Sequence, residues 1–214
     1  LMRSSAASDV YKRQDILLCA ACKTRTVEEV IASAVLPIDL FGENHVQELV
    51  EKTDANAYCG KPGHFIGHLQ TNKVKYIIED MDLIHSVDSI KLATEIDRHA
   101  ARVNKVQDIL IEVNVGGEAS KSGIAPDQLE ELLHEAGQLS HVHVRGLMTI
   151  PPVEGDEKFL YKMQQLYLDI SSKKMDNIDM DILSMGMSGD FKEAIAAGST
   201  LVRIGSAIFG DRQY

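Results

Sequence analysis

The sequence predicts an α/β protein: one closed (β/α)8 barrel. Three observations carry that prediction. Short apolar runs alternate with segments whose apolar residues recur at helical spacing, and little chain is left between them. Eight such periods fit into about 200 residues, at the small end of what a TIM-type barrel needs. The GxGxxG fingerprint that would follow the first strand of an open doubly wound sheet, the competing architecture, is absent.

The first strand is the apolar run over 16–22, closed by Lys23. Its lack of alternation marks a strand buried on both faces, as in a parallel sheet. Thr26 and Glu29 then have the spacing of a capping box, and Val27, Val30, Ile31, Ala34 and Val35 carry a helix that Pro37 stops. A second strand over 38–41 ends on Gly42, Glu43 and Asn44 and precedes a helix over 46–52. Strand three is expected over 64–67 with a helix after it, and strand four over 83–86 before a helix bearing Ile90, Ala93, Ile96, Ala100 and Val103.

The second half repeats the plan. Strand five spans 108–115, followed by a glycine-rich loop over 116–123 and a helix with Leu129, Leu132, Leu133, Ala136 and Leu139. Strand six spans 142–149 and is closed by Pro151 and Pro152. A helix with Phe159, Met163, Leu166, Tyr167 and Ile170 leads through 175–181, read as a surface turn, to strand seven over 182–185. A short helix ending near Gly198 and strand eight over 201–204 complete the barrel.

Composition narrows the function. A chain of 214 residues with 44% hydrophobic content can bury one sizeable core. Its net charge of −10 argues against nucleic acid or an anionic membrane as partner. No apolar run reaches the length of a membrane span and no charged-then-apolar leader is present, so a cytoplasmic location is expected. The three cysteines fit a reducing compartment. Cys19 and Cys22 form a CxxC, but three residues apart on a strand they face opposite ways, and both read as packing residues. Residues 1–14 resemble the translation of a sequencing adaptor, a non-native leader expected to be disordered, which leaves 15–214 as the barrel domain.

Chemistry in a barrel collects at the carboxyl ends of the strands. Lys23 stands at one such end, where it is either a Schiff-base nucleophile or a solvated lysine opening a loop. Ser188 and Gly189 after strand seven, with Gly205 and Ser206 after strand eight, can offer a hydroxyl and backbone N–H groups to a phosphate dianion. Arg203, flanked by Leu201, Val202 and Ile204, is costly to bury alone, so it either meets a ligand, reaches solvent or pairs within the core. One lysine, one arginine and two Gly/Ser turns suit a phosphorylated aldehyde. His64, His68 and His85 come without HxH or HExxH spacing, and no metal site is expected. Lys121 reads as solvated.

Eight ordered blocks resemble the pyridoxal phosphate homeostasis protein family. They are Lys23-Thr24; Phe41 to Asn44; His64 to Gln70; Ile84 to Asp88; Val113 to Glu118; Gly146 to Pro152; Leu183 to Phe191; and Val202 to Ser206, together running from Ile16 to Tyr214. The resemblance implies a fold-type-III barrel similar to the N-terminal domain of alanine racemase. It implies that pyridoxal 5′-phosphate (PLP, the active form of vitamin B6) is held as a Schiff base on Lys23. The phosphate would lie on Ser188, Gly189, Gly205 and Ser206, Arg203 would face the pyridine nitrogen, and Asn44, Asn114, Met148 and Ser184 would lie near the ring.

The family resemblance further implies a monomer without turnover of its own that buffers PLP or supplies it to PLP-dependent apoenzymes. An amino-acid racemase is the competing enzyme class, and a barrel for another phosphorylated ligand is a third. Racemases add a second acid/base group from a further domain, for which this sequence shows no room. Two departures from the family pattern stand out: Cys22 replaces a usual serine, and Gly63 an aromatic before His64. The helix that precedes strand one in the family is also replaced, by the adaptor-like leader.

Overall fold

The computed structural model describes residues 16–118, 121–152 and 157–211; the expected leader over 1–14 lies outside them. Eight parallel strands close into a barrel in sequence order. They are β1 (Leu17–Ala21), β2 (Leu40–Glu43), β3 (Gly63–Phe65), β4 (Leu83–Val87), β5 (Gln107–Glu112), β6 (Val142–Met148), β7 (Ile178–Ser184) and β8 (Leu201–Ile204). The first and last pair directly, Cys19 against Arg203, which closes the ring.

Helices α1 (Val27–Ser33), α2 (Val46–Asp54), α3 (Ile90–Arg102), α4 (Leu129–Ala136), α5 (Lys158–Ser171), α6 (Phe191–Ala196) and α7 (Ser206–Phe209) follow the strands. The capping box at α1 forms as expected: Glu29 N–H donates to Thr26 Oγ1, and Thr26 N–H to Glu29 Oε2 at 2.8 Å. Among the described residues, no helix is long and apolar enough to cross a membrane.

Alternation along each strand separates two cores. Ala20, Phe41, Phe65, Ile84, Ile109, Val144 and Leu183 pack outward with Val30, Leu49, Ile96, Leu133 and Met163 of the helices. Cys19, Leu40, Ile66 and Leu201, and a second group of Leu83, Leu110 and Met148, form smaller apolar clusters bridged by Ile182. Cys19 and Cys22 fall in different clusters, and both are free thiols. Burial pushes Cys19 up to about 12 and Cys22 up as well, so both are inert packing groups.

The helix expected after β3 is a six-residue 3-10 helix, Thr71–Tyr76, of which only Val74 is buried, too little apolar face to support more. One expectation needs correction. Strand seven starts at Ile178, inside the segment read as a turn. The alternation of Ile178, Met180 and Ile182 with Asp179 and Asp181 is a strand pattern, and both aspartates have cross-strand partners, His143 and Arg145.

Candidate functional site

A cleft of about 580 Å³ opens at the carboxyl ends of the strands. It is lined by Ala21 at the end of β1, Lys23 and Arg25 after it, Asn44 after β2, Ile66 after β3 and Ile150 after β6. Met187, Ser188 and Gly189 come from the β7 loop, Arg203 from β8, and Gly205, Ser206, Gly210 and Asp211 from the segment beyond it. The volume lies within the range of about 300–1,000 Å³ that suits a small organic ligand.

Lys23 is half-buried at the strand end, and no protein group among the described residues bonds its amine. The chain turns sharply behind it: Thr24 has a left-handed φ of 65°, unusual for a β-branched residue. Asn44 is packed against the backbone just beyond β3. A Cβ on Gly67 would lie 2.1 Å from the Asn44 carbonyl oxygen, so the approach of these loops depends on glycine there.

The corner between β7 and β8 forms a donor cradle. Ser188 Oγ accepts from the N–H groups of Gly205 and Ala207, each at 3.3 Å, so three polar groups converge on one point. Met187 N–H is tied to Asp190 Oδ1 at 2.7 Å, fixing the loop, and a Cβ on Gly189 would meet open space. Arg25 closes the near side by donating to the carbonyls of Gly210 at 2.6 Å and Asp211 at 3.3 Å.

Arg203 is buried, and its partners are neutral oxygens: Nη1 donates to Ser184 Oγ at 2.5 Å and Nη2 to the Thr149 carbonyl at 2.9 Å. Burial pushes its guanidinium down from the ordinary value, against the opposing pull of nearby groups that include Glu112. Behind Ser184, His85 Nδ1 lies 3.0 Å from the same oxygen, and His85 Nε2 lies 2.9 Å from His64 Nδ1. Because arginine only donates, the serine proton is free for His85 Nδ1, which assigns the proton of His85 to Nε2. Burial holds His64 down to about 4 and His85 well below its usual value, so both rings are neutral at pH 7.

Of the residues expected from sequence, Lys23, Asn44, Ser188, Gly189, Arg203, Gly205 and Ser206 converge on the cleft. Three do not line it. Ser184 is fully buried behind Arg203; Met148 packs against Leu83 and Leu110; Asn114 bonds the Glu118 carbonyl and N–H, organising the β5 loop. Lys121, read as solvated, is half-buried and donates to the Pro151 carbonyl at 2.9 Å. Arg25, Met187 and Asp211 were not foreseen, although Arg25 stands only two residues from Lys23.

The barrel and its carboxyl-end cleft place the chain in a known structural class, since residues 16–213 match the family described as alanine racemase, N-terminal domain. Within that class, a pyridoxal phosphate homeostasis protein of Aquifex aeolicus is 44% identical over 92% of this chain and 87% of its own length. Its counterpart in Escherichia coli K12 is 37% identical over 94% and 88%. The solved structure of PipY from Synechococcus elongatus with PLP bound superposes with a TM-score of 0.83 at 28% identity, covering 95% of this chain and 99% of PipY. The chain belongs to the pyridoxal phosphate homeostasis protein family.

Proposed function

We propose that the cleft binds PLP and that the protein buffers or supplies this cofactor in the cytoplasm, without turning over a substrate of its own. The observation that carries the reading is the convergence of an amine, a donor cradle and a buried guanidinium on one cleft. Each matches one part of PLP. The phosphate dianion suits the Ser188 hydroxyl, whose oxygen the N–H groups of Gly205 and Ala207 hold in place, together with neighbouring Gly189, Gly205 and Ser206. The aldehyde suits Lys23, whose amine condenses with it and releases water. The pyridine nitrogen suits Arg203, a permanent donor that keeps that nitrogen unprotonated, while Asn44 borders the ring.

Bound PLP supplies an electron sink for carbanions, and an unprotonated nitrogen weakens it. Racemisation also needs proton donors on both faces of the substrate carbon. Among the described residues lining the cleft, Lys23 is the only amine and Asp211, beyond β8, the only carboxylate, and no tyrosine, histidine or cysteine accompanies them. That composition favours carriage over catalysis. Ser184, Asn114 and Met148 would act from outside the cleft, Ser184 by holding Arg203.

The test is to load the protein with PLP, add L-alanine and other amino acids, and follow both the visible spectrum and the enantiomer ratio. Carriage predicts PLP binding with no racemised product, and transfer of PLP to an added apoenzyme. Product formed in proportion to protein, and lost in Lys23→Ala, would establish the racemase reading instead.

A further inference from the structure

Lys52 on α2 is 2% exposed, although a lysine head group normally stays in water. Its ammonium has three protons and three acceptors: the Cys22 carbonyl at 2.9 Å, Glu43 Oε1, and Glu48 Oε2 at 3.4 Å. Two of the three acceptors belong to segments that deliver residues to the cleft, and the third, Glu48, stands on α2 beside Lys52. Cys22 directly precedes Lys23, and Glu43 directly precedes Asn44. Glu48 Oε2 also accepts the N–H of Thr24 at 2.7 Å, while its other oxygen is 2.6 Å from His45 Nδ1. Lys23 is therefore bracketed, its preceding carbonyl held by Lys52 and its following N–H by Glu48.

This bracket is poorly explained as a device for stability. A buried ion pair is often no better than apolar side chains of the same size. Glu43 leaves its second oxygen, Oε2, without a hydrogen-bond partner, and burial pushes its carboxyl up to about 7. What an apolar pair could not do is grip the Cys22 carbonyl and stabilise the left-handed turn at Thr24. Such a conformation persists only where its surroundings over-determine it. Cys22 is also tied to β2 through its N–H to the Gly42 carbonyl at 2.9 Å, so the ends of β1 and β2 are joined beside the ammonium.

We propose that Lys52, with Glu43 and Glu48, is a positioning group that presents the Lys23 amine to an aldehyde ligand. The inference rests on the reading of the cleft as a PLP site. It assigns Lys52 no contact with the ligand: the cluster fixes the backbone on either side of Lys23, and the amine reaches the aldehyde carbon only from that fixed base.

Two ligands separate this role from a general structural one. PLP carries the aldehyde; pyridoxine 5′-phosphate has the same ring and phosphate with an alcohol in its place, and cannot condense with an amine. Both would be titrated into the wild type, the Glu43→Gln/Lys52→Met double variant and the milder Glu48→Ala, with thermal melts as a check on folding. The double variant leaves no unpaired buried charge, and Glu48 is partly exposed, so one of the two reports even if the other folds poorly.

The expected result is an unchanged affinity for pyridoxine 5′-phosphate, within about twofold, and a loss of about tenfold or more in the rate of borohydride-trappable adduct formation with PLP, as misplacement of a reacting group produces. Equal losses for both ligands, or no loss in a folded variant, would overturn the inference while leaving the PLP site intact. A wild type that forms no adduct would overturn the reading of Lys23 and this inference with it.

Discussion

Two buried serines on the barrel strands should respond to the same mutation in opposite ways. Ser184 on β7 is fully buried, accepts from Arg203 at 2.5 Å and lies 3.0 Å from His85 Nδ1. Ser86 on β4 is 1% exposed, and its hydroxyl has no hydrogen-bond partner. Ser184→Ala leaves a buried guanidinium N–H and a ring nitrogen unsatisfied. A bond to a charged group contributes about 1.5–3 kcal/mol and a neutral one about 1, so a loss of about 3 kcal/mol is expected. For a chain of this size that is a fall in Tm of roughly 6–12 °C.

Ser86→Ala removes a hydroxyl whose burial is uncompensated, so it should be neutral or stabilising by up to about 1 kcal/mol. Urea unfolding of wild type and both variants at pH 7 measures the difference, and PLP titration of Ser184→Ala adds the functional side: weaker binding, because Arg203 loses one of its two anchors. Similar values for the two serines, or a Ser184→Ala protein within about 0.5 kcal/mol of wild type, would refute the account of the Arg203 network, since surface-like tolerance is of that size.

Other outcomes follow from the same geometry. Gly67→Ala would push a Cβ against three backbone atoms of Asn44, at 2.1, 2.6 and 2.7 Å, so a loss of about 3 kcal/mol or more is expected together with weaker PLP binding; wild-type unfolding and titration curves would contradict it. His64 is held down to about 4, so the folded chain refuses a proton that the unfolded chain takes up below about 6.5. Stability from this group is complete above that pH and falls as the pH drops towards 4, by about 2 kcal/mol at pH 5. Glu43 and Glu112, raised by burial to about 7, pull the other way between about 7 and 4.5. His64→Gln should therefore gain stability relative to wild type by about 2 kcal/mol between pH 7 and pH 5, read as the difference between the two urea-unfolding profiles; parallel wild-type and variant profiles would contradict the assignment.

Much of this architecture is legible in the sequence because local pattern and fold agree. Apolar runs mark the strands, Thr26 and Glu29 mark the start of α1, and the residues that close β1, β2 and β8 fall at the cleft. The start of β7 is hidden in the sequence although its alternation is there: Asp179 and Asp181 read as a surface turn because their partners, His143 and Arg145, lie on β6. Ser184 and Arg203 are 19 residues apart, and His85 is 99 residues from Ser184, so their network exists only once the ring closes. Whether Met148 faces the cleft or the apolar interior depends on register, which a one-residue slip would reverse. Lys52 gives no signal in sequence, because a lysine on an amphipathic helix ordinarily faces water.

The central claim is that Lys23 is the covalent anchor for PLP, and the most direct measurement is borohydride reduction of the PLP-loaded protein followed by peptide mass mapping, with Lys23→Ala in parallel. The account predicts a visible absorbance band that reduction abolishes, a pyridoxyl label on Lys23, and neither in a folded Lys23→Ala protein. A label on another lysine, or no label from a folded wild type saturated with PLP, would contradict it.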